Sequence, residues 1–97
     1  MRHGGDMRHV VVTTARGLVM FGVLESGTVG GVVALTQARN CVYWGRTVRG
    51  VFGLAATGPD DTCRVGPAVP RVLLSEVTSI ADCTPEAVEA WERAPWV

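Results

Sequence analysis

The sequence predicts a mainly β domain, a small antiparallel barrel or curved sheet, with one C-terminal α-helix. Three observations carry this. Valine dominates the apolar residues, and β-branched side chains favour strands. Short β-branched and aromatic runs are separated by glycine-bearing turns. Thr84-Pro85-Glu86 places threonine at an N-cap, proline at the first helical position and an acid in the first turn, a strong helix start.

Taken in order, Val10–Thr14 reads as a strand, Ala15-Arg16-Gly17 as a turn and Leu18–Glu25 as a second strand. Gly22 lies inside that strand, and an internal glycine marks a bulge or a sharp bend. Ser26–Gly31 is a hairpin connection. A third strand begins at Val32–Leu35, breaks near Gln37-Ala38 and continues through Cys41–Trp44, so that one strand serves both sides of a curved sheet. Gly50–Pro59 is ambiguous between a strand and a helical turn at Leu54-Ala55-Ala56, and Gly58–Asp61 is an exposed turn. Thr62–Val65 suits a short strand, and Arg71–Ile80 a strand with one change of register. The final helix, about residues 85–94, gathers Ala87, Val88, Trp91 and Ala94 on one face. A helix this short is marginal alone, so Val88 and Trp91 are expected to dock on the sheet or at a subunit interface.

Met-Arg-His occurs at 1–3 and again at 7–9. Residues 1–6 therefore read as a flexible leader, and residues 7–97 as one domain. Formal net charge is zero but unevenly placed: +1 over residues 1–36, +3 over 37–74 and −4 over 75–97. The basic middle suits an anion, and the acidic tail suits a cationic surface or the middle of a second copy. A homo-oligomer is expected on that ground. Zero net charge disfavours a nucleic-acid-binding role. All nine basic residues are arginine.

Cys41, Cys63 and Cys83 lack the paired spacing of a zinc site, so neither metal nor cofactor is expected. They read as reduced thiols of a cytosolic protein. No secretory signal pattern and no apolar run of the roughly 20 residues needed to span a membrane is present. No serine sits in a nucleophile-elbow context, and both histidines lie near the leader. The carboxylates cluster on the tail helix and at Asp60-Asp61, and no phosphate-loop pattern occurs. These observations give no catalytic residue and point away from an enzyme.

Binding is better supported. Residues 38–50 hold Arg39, Arg46 and Arg49 with Tyr43 and Trp44, and guanidinium groups beside aromatic rings can hold anions or stack on flat ligands. Arg64 is an additional donor. Strand alternation sends Arg39 and Tyr43 to one side and Trp44 and Arg46 to the other, so convergence needs a break in the strand or a subunit boundary.

From about Gly17 to Trp96 the chain resembles a family of short proteins from tailed bacteriophages and prophages. The residues carrying the likeness are Ala38–Trp44, Gly53–Pro59, Arg64–Pro67 and Thr84–Trp91. The resemblance implies a phage or prophage origin and no particular activity. A weaker resemblance, from Gly17 to Ala38 and at Val48-Arg49-Gly50, is to Sm-like and SH3-like small barrels. Nearly fifty residues after Gly50 depart from that pattern. The expected function is a non-enzymatic binding protein in the host bacterial cytoplasm. It would hold a nucleotide-like anion or a host protein and so interfere with a host process. The alternative is a structural or assembly protein of the phage particle, located in the virion.

Overall fold

The computed structural model describes residues 7–95; the expected leader, residues 1–6, lies outside them. Six strands form one antiparallel, curved sheet: β1 (His9–Thr14), β2 (Val19–Ser26), β3 (Val33–Tyr43), β4 (Arg64–Val65), β5 (Val69–Leu74) and β6 (Val77–Asp82). The order runs β6-β1-β2-β3, and the far edge of β3 is shared by β5 along its first half and β4 along its second. Only Ser75 and Glu76 join β5, on one edge, to β6, on the other. The sheet must therefore curl until its edges approach. No ladder joins β5 to β6 among the described residues, so the curl stays open and is not a closed barrel.

The bend is built where the sequence points. Gly22 has no partner in the β2–β3 register, which jumps from Phe21↔Arg39 to Val23↔Thr36. The extra residue on β3 is Gln37, with φ of 50°. A side chain at Gly22 would meet the Thr36 carbonyl oxygen at 3.0 Å, a tight contact that glycine avoids where the two strands cross. The bulge also reverses the alternation of β3. Val33 and Leu35 point to the inner core; after the extra residue Ala38 does so, while Arg39 and Cys41 turn to the other face.

Both faces of the sheet are covered. Inside the curl Val10, Val12, Met20, Leu35, Leu74 and Val77 pack together. On the opposite face Val11, Val19, Phe21 and Cys41 lie under α1 (Gly50–Ala56) and α2 (Pro85–Arg93). Covering on both sides explains the unbroken Val10-Val11-Val12 run, each wholly buried.

Gly50–Ala56, ambiguous in the sequence, is a helix because its last four carbonyls all find donors. Gly53 O accepts from the Thr57 backbone at 2.8 Å, and Ala55 O from the Thr84 backbone at 3.0 Å. Leu54 O accepts from the Trp91 indole at 2.9 Å, and Ala56 O from the Thr84 hydroxyl at 2.6 Å. Thr84 also accepts from Ala87 N at 3.1 Å, capping α2 as expected. Gly58, with φ of 84°, lies so close to α2 that a side chain there would meet Ala90 Cβ at 2.6 Å.

The expected single strand over Arg71–Ile80 is corrected to two. Glu76, with φ of 54°, turns the chain out of β5 and into β6 on the far edge. The expected third strand is continuous through the bulge and ends at Tyr43, leaving Trp44 outside it. No described helix is long and apolar enough to cross a membrane.

Candidate functional site

The structure divides the predicted arginine–aromatic cluster into an internal part and an external part. Arg39 belongs to the first. It is 7% exposed, with Nε donating to Gly66 O at 2.8 Å and Nη1 to Trp91 O at 2.6 Å. Trp91 O lies in the last turn of α2, where carbonyls lack intrahelical donors and a cation is favoured. Arg39 thus ties that turn to β3 and the 66–68 loop. Burial lowers its pKa and leaves it a cation. Its expected place in an exposed ligand face is corrected: the bulge at Gln37 turns it under α2.

Of the two places expected for Trp91, the sheet of its own chain and a subunit interface, it takes the first. It is wholly buried and stacks on Phe21, with ring centroids 4.9 Å apart and planes 5° from parallel. Phe21 stacks in turn beside His9 at 5.7 Å. Val88 is half-buried against the same layer.

The external part is Tyr43, Arg46, Arg49 and Arg64. Tyr43 ends β3 directly opposite Arg64 of β4, which makes the two side-by-side cross-strand neighbours. Arg46 begins the 3-10 turn Arg46–Val48 that leads to α1 and Arg49 caps it, and both are exposed. Trp44 is half-buried against the core and so offers only part of its ring. Arg8, Arg16, Arg71 and Arg93 each meet a carboxylate, on Asp82, Glu76, Glu25 and Glu89. Arg46, Arg49 and Arg64 make no ion pair with a described carboxylate. Val42, Tyr43 and Phe52 are 65%, 57% and 73% exposed in the same stretch of chain.

Asp60 holds this region in shape. Its carboxylate accepts from the Thr47 hydroxyl at 2.6 Å and from Thr62 N at 3.0 Å, and also from the Thr62 hydroxyl. Thr62 Oγ1 accepts from Gly45 N at 3.2 Å, so the 45–48 turn and the 60–63 turn form one unit. These hydrogen bonds, Thr47 first, hold the Asp60 carboxyl down to about 2. A carboxyl lowered by folding stabilises the fold above its ordinary value of 3.8, and the contribution is lost as pH falls toward about 2. Acid unfolding followed by circular dichroism is expected to show this. Asp60→Asn is expected to lower stability at neutral pH and to flatten the loss over that window, while the Arg71-paired Glu25, also lowered, keeps its share. An acid limb identical in the two proteins contradicts it.

Cys41 and Cys83 are poor nucleophiles. Burial, with Cys63 alongside, pushes Cys41 up to about 12. Burial, with Asp82 alongside, does the same to Cys83.

Arg64 lines a concavity of about 660 Å³ beside the end of α2. A cleft of about 390 Å³ is lined by His9, Gln37, Arg39, Ala68 and Glu92 among others. Of these only Arg39 is a predicted site residue. His9, Gln37 and Glu92 come from three distant segments, and nothing local in the sequence joins them.

No curated protein and no solved structure matches the chain. Residues 7–91 match the DUF6948 family, described as a domain of unknown function. The match runs from before β1 to Trp91, and so takes in the whole sheet, α1 and the docking residue of α2. The chain belongs to the DUF6948 family.

Proposed function

We propose that the protein is a non-enzymatic binding protein that captures an acidic protein surface on its Tyr43–Phe52 stretch and Arg64. The carrying observation is the set of three exposed arginines without a described carboxylate partner, with Tyr43 paired across the strands to Arg64 and exposed Val42 and Phe52 in the same stretch of chain. Exposed aromatic and guanidinium side chains are the usual anchors of protein interfaces. Tyr43, Arg46 and Arg49 are exposed, and a protein surface can engage them without the concave site that a nucleotide-like anion needs. Following the resemblance to phage and prophage proteins, the partner is a host protein in the bacterial cytoplasm, and its capture interferes with a host process.

The test is the triple variant Arg46→Glu, Arg49→Glu, Arg64→Glu. All three positions are exposed, so stability should move by only about 0.5 kcal/mol per site. A host protein retained by the native chain, then purified, is expected to lose at least about tenfold in affinity for the variant, or 1.4 kcal/mol. Equal affinity overturns the proposal. Calorimetric titration with mono-, di- and cyclic nucleotides tests the small-anion occupant.

A second reading, particle assembly, is favoured by charge. Glu86, Glu89 and Glu92 are exposed along α2, opposite in sign to the arginine face. A head-to-tail contact of helix on face closes into a ring or runs on as a filament. Sedimentation in moderate salt is then expected to show a dimer or larger that the triple variant dissolves. A monomer in both removes this reading.

A further inference from the structure

We infer that the cleft between the β3 bulge, the loop at Ala68 and the end of α2 is a binding site for a small zwitterion, an amino acid or a molecule built like one. It is separate from the arginine–aromatic face and does not depend on it. Arg39 anchors it. Nε and Nη1 are fixed on the Gly66 and Trp91 carbonyls, while Nη2 makes no hydrogen bond to a described residue. Arg39 is also one of the residues that line the cleft. A guanidinium immobilised by two carbonyls, with one amine left over, is a preorganised donor for a carboxylate.

The opposite charge is at the rim. Glu92 lines the same cleft, and its carboxylate stands 3.9 Å from His9 Nε2. Among the described residues that line the cleft, Arg39 and Glu92 carry opposite formal charges. A doubly charged phosphate would meet Glu92 as repulsion, whereas a ligand bearing one carboxylate and one ammonium satisfies both ends. Gln37 adds an amide that both donates and accepts, and Phe21 and Ala68 supply apolar wall. The volume, about 390 Å³, lies in the range of small-molecule sites. The bulge that rotates Arg39 to this face also holds Gln37 at φ of 50° at the cleft. Left-handed backbone at a non-glycine residue is a strain that recurs at ligand sites.

The experiment uses the full chain and five probes: glycine, β-alanine and 4-aminobutyrate, whose charges lie progressively further apart, and acetate and inorganic phosphate. The readout is the NMR shift of the Arg39 Nε–H and the Gln37 amide during titration. At least one zwitterion is expected to saturate with a Kd of about 1 mM or tighter, with acetate about tenfold weaker and phosphate weaker still. Glu92→Gln, at an exposed position, should erase the preference for the zwitterion over acetate. Ala68→Trp, also at an exposed position, should fill the cleft and abolish binding while the unfolding temperature holds. No saturable shift with any probe, phosphate binding tightest, or a preference unchanged in Glu92→Gln overturns the inference.

Discussion

Trp91→Ala is expected to remove about 3–5 kcal/mol of folding stability, the range for truncating a large buried aromatic. The indole is wholly buried, stacks on Phe21 at 4.9 Å and donates to Leu54 O at 2.9 Å. Its loss opens a cavity between α2 and the sheet and strips a donor from the last turn of α1. Nine residues of helix do not hold themselves together in water, so α2 should exchange its amide hydrogens almost as a free peptide. Trp91→Phe keeps much of the stack and loses only the hydrogen bond, so it should cost less than half as much. Denaturant unfolding read by circular dichroism decides the point. A stability within about 0.5 kcal/mol of the native protein would mean that the helix is not docked through this residue.

Arg39→Met is expected to cost about 3–6 kcal/mol, because it removes two hydrogen bonds from a charged donor, each contributing about 1.5–3 kcal/mol, and the Trp91 bond is buried. The side chain spans from Gly66 O to Trp91 O. The ammonium of Arg39→Lys cannot reproduce that planar fork, so lysine should recover less than half of the loss. Hydrogen exchange at the end of α2 and in the 66–68 loop should accelerate together. A ligand-only arginine would leave both segments and the unfolding midpoint unchanged.

These two residues show what the sequence made legible and what it did not. The docking of Trp91 follows from a short amphipathic helix that cannot stand alone, and its Thr84 cap follows from residue type at one position. Gly22 and the break near Gln37 were readable as a bend because glycine inside a strand has few other uses. The role of Arg39 was not readable. Its side is set by whether β3 contains an extra residue, and one inserted residue exchanges the two faces for everything that follows. The partners it then finds, two backbone carbonyls 27 and 52 residues further along, leave no local signature. The turn at Ser75-Glu76 was hidden for a similar reason. Neither residue is a strong breaker, and Glu76 takes left-handed backbone where glycine or asparagine is usual. The cleft at His9, Gln37 and Glu92 is assembled by the fold alone. The exposed arginines were legible as a group, but their shared support, Asp60 bridging Thr47 and Thr62, was visible only as a turn.

The central claim is that the fold separates Arg39, held inside on two backbone carbonyls, from the exposed Arg46, Arg49 and Arg64. Arginine footprinting of the native protein with hydroxyphenylglyoxal, read by mass spectrometry, tests this most directly. Arg46, Arg49 and Arg64 are exposed and should label rapidly. Arg39, 7% exposed, should label at least about tenfold more slowly and gain reactivity only as the chain unfolds. Arg39 labelling at the rate of the other three in the folded protein would contradict the account.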